Sequence, residues 1–355
     1  MSAIEQISTS EYEQVLIVQE RKTGLVSITV VHDTTLGPAL GGLRIREYLS
    51  LEEALSDVLD LARAMTYKNS LCGCNLGGGK SVIVGSGNLR EGREELLLSY
   101  GRFVQSLGGA YITAEDMGTS VEDMSVIMKT CDYVTGRDPA LGGGGDPSLH
   151  TARGVFEGMK ACLEHVFGSA DFSGRHVAIQ GVGNVGSYLA RLLAEAGARL
   201  TIADVHEKQL RSVSQECAAE VVGVDDIVDV ECDVICPCAV GGTITSRAAK
   251  RLKCKIVAGA ANNQLDNPET EQILTEHGIV YAPDFAINAG GVIMCGDELE
   301  AGGYSLERVT ERVVNIYDTI SEILDEADSR GKLAGKVAME RAMRRIYEVR
   351  ENGKE

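Results

Sequence analysis

Two lysines and one aspartate stand in sequence contexts that could give them chemical roles. Lys80 follows three glycines and precedes a β-branched run, and Lys68 ends a helical stretch twelve residues earlier. Taken singly, each lysine is expected at the solvated surface. If the two amines share a cleft, one can bind a carboxylate as a point charge. The other, desolvated and facing a like charge, then has its pKa lowered into the range of a general base. Asp116 follows a predicted strand, where a carboxylate commonly caps a loop.

A glycine pattern in the second half of the chain predicts a dinucleotide site. Gly181, Gly183 and Gly186 form G-x-G-x-x-G between a predicted strand and a predicted helix, and Asp204 ends the next strand 18 residues later. These glycines permit a tight turn, close approach of backbone N–H groups to a pyrophosphate, and close helix–strand packing. Asp204 would bind the ribose hydroxyls and repel a 2′-phosphate, which favours NAD over NADP. The alternative is a glycine-rich turn without a ligand.

The glycines before Lys80 do not form a P-loop. The spacing of that motif requires glycine at position 74, where Cys74 stands, and the residues after Ser81 favour a strand where a P-loop must enter a helix. We therefore do not expect an ATPase.

Net charge narrows the class of partner. Lys and Arg number 34 against 52 Asp and Glu, giving a net charge of −18. Such a chain repels phosphate backbones and anionic lipid, so we expect no nucleic acid and no membrane partner, and an anionic substrate needs local cations. The amino terminus has no signal-peptide pattern, and no window reaches the ~20 apolar residues of a membrane span. We expect a cytoplasmic protein.

The ten cysteines do not form a zinc-ligand pattern. Cys72 and Cys74 are one residue apart, as are Cys236 and Cys238, whereas zinc sites space paired ligands by about two to four residues. We expect reduced thiols and no metal.

Strands and helices alternate along the chain, as in α/β proteins. Strands are predicted at 15–18, 25–31, 81–84, 111–114, 176–180, 200–204, 234–235, 255–258 and 279–282. Helices are predicted at 51–64, 96–107, 151–167, 189–196, 304–327 and 337–347. Between the two halves, we interpret Gly142–Gly145 as a flexible interdomain crossing. The alternation after it predicts a parallel, doubly wound sheet.

Motifs spread over nearly the whole chain resemble those of the amino acid dehydrogenases. The similarity is greatest to the leucine, valine and phenylalanine branch of the glutamate dehydrogenase superfamily, with the leucine-specific members closest. The motifs occur in order as HDTTLGPALGG at 32–42, MTYK ending at Lys68, GGGK ending at Lys80, ITAED ending at Asp116, QGVGNVG at 180–186, PCA at 237–239, GAANN at 259–263 and YAPDFAINAGG at 281–291.

This resemblance implies an α/β fold with two domains and a deep interdomain cleft. Residues 1–140 would form an N-terminal α/β substrate-binding and oligomerisation domain, onto which a C-terminal helix, 331–355, packs back. Residues 141–330 would form a Rossmann-type, doubly wound NAD-binding domain. It also implies a homo-oligomer, dimeric or larger.

The resemblance implies a role for each motif residue. Lys68 would bind the substrate carboxylate with the backbone N–H groups of Gly41 and Gly42, Lys80 would activate water, and Asp116 would carry protons to and from the amino group. Hydride would pass from the substrate α-carbon to NAD, water would add to the iminium, and the carbinolamine would release ammonia and a 2-oxo acid. The implied cofactor contacts are Thr151, Gly181, Gly183, Asn184, Val185, Gly186, Asp204, Cys238, Ala239, Asn262 and Asn288, with Asn262 shared with the substrate.

The implied substrate pocket is apolar. Glutamate-specific members carry a lysine where this chain has Leu40, and the other implied lining residues are Ala114, Val292 and Cys295. A second substrate charge would have no partner there, and its burial would cost several kcal/mol. Leucine, valine or isoleucine is expected.

Two alternative functions stay open, and the chain also departs from the family pattern at several positions. One methylene of fit decides only about 1–3 kcal/mol, so an aromatic substrate, phenylalanine or tryptophan, is the enzymatic alternative. A catalytically silent NAD-binding regulator is the non-enzymatic one. The chain departs from the leucine-specific pattern at Leu43, Leu149, His150 and Met294, and we interpret His150 as a solvated loop residue.

Overall fold

The computed structural model describes residues 3–7, 11–85 and 91–353. Its strands are β1 Ala3–Ile7, β2 Gln14–Glu20, β3 Leu25–Asp33, β4 Ala39–Arg46, β5 Gly77–Val84, β6 Tyr111–Glu115, β7 His176–Gln180, β8 Arg199–Ala203, β9 Glu220–Val221, β10 Val234–Pro237, β11 Ile256–Val257 and β12 Val280–Tyr281. Its helices are α1 Leu51–Leu71, α2 Arg93–Ser106, α3 Val121–Ile127, α4 Ser148–Phe167, α5 Asn184–Glu195, α6 Glu207–Cys217, α7 Ser246–Ala249, α8 Glu269–Glu276, α9 Asp284–Ile287, α10 Gly290–Asp297, α11 Leu306–Val314, α12 Ile316–Arg330 and α13 Ala334–Asn352.

The chain divides into two compact units. The first comprises residues 1–146, 292–306 and 342–355, and the second comprises 147–291 and 307–341. Each unit contains one six-stranded sheet. The predicted class, two α/β domains of which the second is doubly wound, is confirmed. The sequence-based boundaries after residues 140 and 330 stay a prediction about the functional domains.

The sheet of the first unit is mixed. Its strand order is β1-β2-β3-β5-β4-β6, with antiparallel pairs from β1 to β5 and parallel pairs from β5 through β4 to β6. Helix α1 covers the face of β3 and β5 that carries Ile28, Val30 and Val82. Ser50 caps this helix by accepting the N–H of Glu53. Leu43, Tyr100 and Tyr111 belong to the core on the opposite face.

The sheet of the second unit is parallel throughout. Its order, β12-β11-β10-β7-β8-β9, is the 6-5-4-1-2-3 order of a dinucleotide-binding fold when its strands are counted from β7. The crevice of such a sheet lies where the order reverses, between β7 and β10. Strands β7 and β10 are buried over most of their length because helices cover both faces.

Two local predictions were wrong, at 304–327 and at His150. The helix predicted at 304–327 is two helices, α11 and α12, separated at Asn315. The flexible crossing at Gly142–Gly145 stays a prediction: Gly143 and Gly145 are buried, and the N–H of Gly144 donates to the Glu298 carboxylate at 2.8 Å. The chain passes to the second unit just beyond this segment, after Asp146. His150 is 8% exposed and lies within α4 rather than in a solvated loop. None of the helices in the described ranges has the length and hydropathy that a bilayer span needs.

Candidate active site

Lys80 and Asp116 form a buried ion pair in the first unit. The Lys80 Nζ lies 3.1 Å from the Asp116 Oδ2, and the two side chains are 5% and 17% exposed. Lys80 lies in the middle of β5, and Asp116 follows directly after β6, so β4 stands between the two strands that carry them. The sheet therefore brings together two of the three residues for which catalytic roles were predicted.

Charge and burial act in opposite directions on this pair. Burial lowers the pKa of Lys80, Asp116 opposes that shift, and Arg44 reinforces it. Burial alone would raise the pKa of Asp116, but the charges of Lys80 and Arg44 outweigh it and hold that pKa well below its ordinary value. The pair is therefore a base with a depressed pKa beside a carboxylate that is ionised in the resting protein.

Lys68 occupies the last turn of α1 and is 7% exposed. The end of this helix is held on the start of β5, because the Asn69 Nδ2 donates to the Gly77 carbonyl at 2.5 Å. A Cβ at Gly78 would lie 2.1 Å from the backbone N of Thr66, so only glycine lets helix and strand approach this closely. Lys68 and Lys80 are thus buried amines on a helix and a strand that pack together.

Close packing inside the first unit explains why β4 has two consecutive glycines. A Cβ at Gly41 would lie 1.7 Å from the Gly79 carbonyl oxygen, and one at Gly42 would lie 2.7 Å from the Asp116 Cβ. Gly42 therefore lets Asp116 approach the strand that separates it from Lys80. Side-chain alternation in register places Leu40 of β4 and Ala114 of β6 on the face that carries Lys80.

Helix α10 contributes the other two predicted pocket residues. The Cys295 carbonyl accepts the Thr135 hydroxyl at 2.7 Å, and its Sγ lies 4.0 Å from a Cβ built on Gly136. Val292 lies one turn earlier on the same helix and is half-buried. Leu40, Ala114 and Cys295 are all buried, and every one of these four lining side chains is uncharged.

The departures from the leucine-specific pattern differ in their surroundings. Leu43 belongs to the core on the face of the sheet opposite Lys80. Met294 is fully buried, and its thioether packs against Gly144, where a Cβ would lie 2.6 Å from its Sδ. Leu149 is 48% exposed.

In the second unit, the predicted dinucleotide motif forms the turn from β7 into α5. A Cβ at Gly181 would lie 2.9 Å from the Cβ of Ala239, and one at Gly186 would lie 2.1 Å from the Gly181 carbonyl oxygen. Gly183 differs, since it has an ordinary φ of −65° and a Cβ there would meet nothing within 4 Å. Its own fold does not require glycine at this position, whereas a bound pyrophosphate at the helix N-terminus does. The residues present therefore fit a dinucleotide.

Asp204 follows β8 directly and is held in place by backbone donors. Its Oδ2 accepts the N–H of Val182 at 2.8 Å, and its Oδ1 accepts the N–H of His206 at 2.8 Å. Burial opposes ionisation, but these N–H groups lower the pKa of the Asp204 carboxyl below its ordinary value. A carboxylate is therefore fixed at the end of the second strand of the motif, where ribose recognition requires one.

The remaining predicted cofactor residues fall into two groups. Asn184 and Val185 open α5, and Cys238 and Ala239 follow β10 beside the motif turn, with the Cys238 N–H donating to the Gln180 carbonyl at 2.7 Å. The second group is Thr151, Asn262 and Asn288. The Asn288 Nδ2 donates to the Asn262 Oδ1 at 2.9 Å. Thr151 lies in the first turn of α4, 2.8 Å from a Cβ built on Gly291.

One charged residue of the site was missed by the sequence analysis. Arg44 of β4 is 8% exposed, and its Nε donates to the Asp116 Oδ2 at 2.9 Å. Its only sequence signal is its place two residues after Gly42, which puts it on the same strand face as Gly42 and Leu40.

Family comparison agrees with this arrangement. The model of the Glu/Leu/Phe/Val dehydrogenase dimerisation domain matches residues 12–133, and the model of Glutamate/Leucine/Phenylalanine/Valine dehydrogenase matches residues 142–206 and 199–353. The chain belongs to the Glu/Leu/Phe/Val dehydrogenase family. It is therefore an amino acid dehydrogenase, and its second unit has the fold with which dehydrogenases bind NAD or NADP.

Individual relatives cover nearly the full chain. Leucine dehydrogenase from Geobacillus stearothermophilus is 48% identical over 99% of this chain and 95% of its own length. Valine dehydrogenase from Streptomyces albus is 43% identical over 96% and 93%. A crystal structure of L-tryptophan dehydrogenase from Nostoc punctiforme matches with a TM-score of 0.80 and 38% identity, covering 96% of this chain and 97% of that one. The predicted family and its branch are confirmed.

Proposed function

We propose that this amino acid dehydrogenase catalyses the reversible, NAD-dependent oxidative deamination of an apolar L-amino acid to the 2-oxo acid and ammonia, with leucine, valine and isoleucine as preferred substrates. The observation that carries the proposal is the buried Lys80–Asp116 pair on the same sheet face as the apolar Leu40 and Ala114. A general base therefore stands beside a surface that suits an aliphatic side chain. The leucine and valine dehydrogenases among the relatives support this choice.

In this proposal the two lysines have different tasks. Lys68 binds the substrate carboxylate as a point charge, with the backbone of Gly41 and Gly42. Lys80, whose pKa burial lowers, removes a proton from the water that attacks the substrate iminium carbon. Asp116 is ionised beside Lys80 in the resting site, takes up a proton transiently and gives it to the substrate nitrogen as the carbinolamine loses ammonia. Metal is not part of the proposal.

The cofactor is held by the second unit. The turn Gly181–Gly186 and the start of α5, with Asn184 and Val185, hold the pyrophosphate, while Asp204 binds the adenosine ribose. Cys238 and Ala239 border the turn, and Thr151, Asn262 and Asn288 contact the nicotinamide half. When bound, the cofactor would supply the acceptor for the hydride that leaves the substrate α-carbon. Asp204 favours NAD, because a 2′-phosphate would meet its negative charge.

The side-chain specificity follows from what lines the recess. Leu40, Ala114, Val292 and Cys295 offer no ionic partner, so burial of an acidic substrate side chain is unfavourable by several kcal/mol. The small Ala114 and the medium-sized Val292 suit a branched aliphatic chain.

A substrate panel tests the proposal. NADH formation is followed at the nicotinamide absorbance with leucine, valine, isoleucine, phenylalanine, tryptophan and glutamate, each with NAD and with NADP. We expect the highest kcat/KM with a branched aliphatic substrate and NAD. A highest kcat/KM with phenylalanine or tryptophan identifies the aromatic alternative, which the matched L-tryptophan dehydrogenase structure favours. NAD binding without turnover of any substrate identifies a silent regulator.

The proposal also covers the oligomeric state and the cellular location. Residues 12–133 match a domain described as a dimerisation domain, so we assign the protein to a homo-oligomer, dimeric or larger, which sedimentation velocity measures. The ten cysteines are free thiols in the structure, which suits the reducing cytoplasm. Cell fractionation tests the cytoplasmic location. Residues 1–140 with the helix 331–355 are assigned to substrate binding, and residues 141–330 to NAD.

A further inference from the structure

Arg44 connects two carboxylates beneath the proposed catalytic pair. Its Nε donates to the Asp116 Oδ2 at 2.9 Å, and its Nη1 donates to the Asp57 Oδ2 at 3.0 Å. The same Asp57 oxygen accepts the Tyr48 hydroxyl at 2.6 Å. Asp116 Oδ2 also receives the Lys80 Nζ at 3.1 Å. One carboxylate oxygen is therefore held by two cations, one on β4 and one on β5.

The chemistry of arginine suits this position. A guanidinium is planar, stays charged at every working pH and can bind two carboxylates along fixed directions, whereas an ammonium binds as a point charge. Arg44 is 8% exposed, and the side chains of Asp57 and Asp116 are 23% and 17% exposed, so solvent screens these two pairs less than it screens surface pairs. Asp57, anchored by Tyr48, fixes the far end of the guanidinium.

We infer that Arg44 is a positioning residue of the proposed deamination, which holds the Asp116 carboxylate at the Lys80 amine through its second bond to Asp57. This inference rests on the roles proposed for Lys80 and Asp116. It adds a residue that does not itself contact the substrate and acts through both.

Arg44 also sets the charge that Lys80 experiences. As a like charge it disfavours protonation of Lys80, and by sharing Asp116 it withdraws part of the carboxylate's attraction for the Lys80 proton. As long as Asp116 keeps its contact with Lys80, loss of the guanidinium charge removes both effects, and each removal raises the pKa of Lys80. A merely structural role would lower turnover without this directed change.

The elements packed around Lys80 carry several charged groups that also affect its pKa. Arg44 lies on β4 and Asp116 directly after β6, and Asp57 and Lys68 lie on α1. Strand β3 pairs Val30 with Lys80, and its His32 hydrogen-bonds with the Thr66 hydroxyl of α1 at 2.8 Å. All of these except Arg44 are unchanged in the variants below.

The test compares two substitutions at Arg44 with a control on the same strand. Arg44→Gln removes the charge, and Arg44→Lys keeps the charge but loses the planar fork. Arg46→Gln is the control, because Arg46 lies two residues further on β4 and pairs with Glu53, with both side chains 40% exposed. Each variant is checked by circular dichroism and by its Kd for NADH, which binds to the second unit.

The readout is the pH dependence of kcat/KM with the best substrate of the panel. Activity requires neutral Lys80, so it rises with pH through the pKa of that residue. In Arg44→Gln we expect the rising limb to move to higher pH by about one unit and kcat to fall by about 10²-fold. In Arg44→Lys we expect the limb near its original position with kcat lowered about 10-fold, and in Arg46→Gln no change.

Two results overturn the inference. One is a folded Arg44→Gln enzyme in which kcat is lowered but the rising limb of the pH profile of kcat/KM has not moved. That result would make the role of Arg44 merely structural. The other, decisive where Arg44→Gln does not fold, is an Arg44→Lys enzyme with wild-type kcat. Failure of the proposed function itself is separate, since it is seen as no turnover in the wild type or as undiminished turnover in Lys80→Ala.

Discussion

Substitution of Asp204 tests how the chain chooses its dinucleotide. Its two carboxylate oxygens accept the N–H groups of Val182 and His206, each at 2.8 Å, so the carboxylate cannot rotate away from its place at the end of β8. Hydrogen bonds to a charged acceptor contribute about 1.5–3 kcal/mol each. Loss of one ribose bond therefore lowers kcat/KM for NAD by about 10–150-fold.

The effect on NADP has the opposite sign. A 2′-phosphate carries roughly two negative charges, which the Asp204 carboxylate repels at short range. In Asp204→Ala this repulsion is absent, so we expect kcat/KM for NADP to rise or stay level while that for NAD falls. The preference for NAD thus narrows by at least about 10-fold. Asp204→Asn removes the charge but retains one accepting oxygen, and we expect an intermediate ratio.

The assay is initial-rate kinetics with both dinucleotides at saturating amino acid. Asp225→Ala serves as the control, because Asp225 is an exposed acid of the same unit, in the segment after β9. Asp204→Ala also leaves the N–H groups of Val182 and His206 without their acceptor, so a lower melting temperature is expected and is measured alongside. An unchanged ratio of NAD to NADP activity in a folded Asp204→Ala enzyme would refute the assignment of Asp204 to the ribose.

Three further predictions concern the first unit. Lys80→Ala should lose more than about 10²-fold in kcat while its melting temperature and NADH Kd stay close to the wild type; near-normal turnover would remove Lys80 as the base. Burial raises the pKa of Glu115 from 4.5 to about 7, so the folded state binds more protons than the unfolded state between those values and stability falls as pH rises through that window. Glu115→Gln should therefore be more stable than the wild type at pH 8 by about 1–2 kcal/mol, after allowance for partial exposure, and lose this gain below pH 4.5, as urea unfolding at both pH values measures. Glu298→Ala should lower the free energy of unfolding by about 3 kcal/mol, because the fully buried carboxylate accepts the N–H groups of Gly136 and Gly144; a loss below about 1 kcal/mol would contradict its anchoring role.

The dinucleotide motif was predictable because its determinants are local. Strand, turn, helix and second strand follow one another within about 30 residues. Gly181 and Gly186 answer steric demands of that short unit, and Gly183 leaves room for a bound pyrophosphate. The structure has the turn at Gly181–Gly186 and the carboxylate of Asp204 where the spacing placed them. Lys68 and Lys80 were harder, since spacing alone left a surface position open for each.

The helix predicted at 304–327 is divided in the structure, which shows that the spacing of apolar residues does not give helix boundaries. Val309 and Val313 are buried in α11, and Ile316, Ile320 and Ile323 are buried in α12, so the apolar positions continue at helical spacing through the break. Periodicity reports which face is buried, and two consecutive helices that bury similar faces give the same pattern as one. The local signal at the boundary is weak, because Asn315 keeps helical φ and ψ of −64° and −7° and its side chain makes no capping hydrogen bond.

Arg44 was missed for a different reason. Its partner Asp57 lies 13 positions away and its partner Asp116 lies 72 positions away, and both contacts follow from β4 standing between β5 and β6 with α1 packed on the same face. No strand was predicted around Arg44, and a charged residue in an unassigned segment is usually solvated. Only the strand order shows that this charge is enclosed.

The turn between Lys68 and Lys80 shows how distant chain segments enter the site. Arg345 of α13 donates to the carbonyls of Ser70 and Cys74 at 3.0 and 2.8 Å, and Ser70 in turn donates its hydroxyl to the Ala342 carbonyl at 2.8 Å. Since the turn joins the helix that carries one amine to the strand that carries the other, these bonds limit how far the two amines can move apart. Helix α13 is therefore part of the framework around Lys68 and Lys80, which lie in the first third of the chain. A motif search cannot find such a contribution. Arg345 binds backbone carbonyl groups some 270 residues earlier in the chain, and every residue has a carbonyl group, so the acceptors leave no pattern in the sequence.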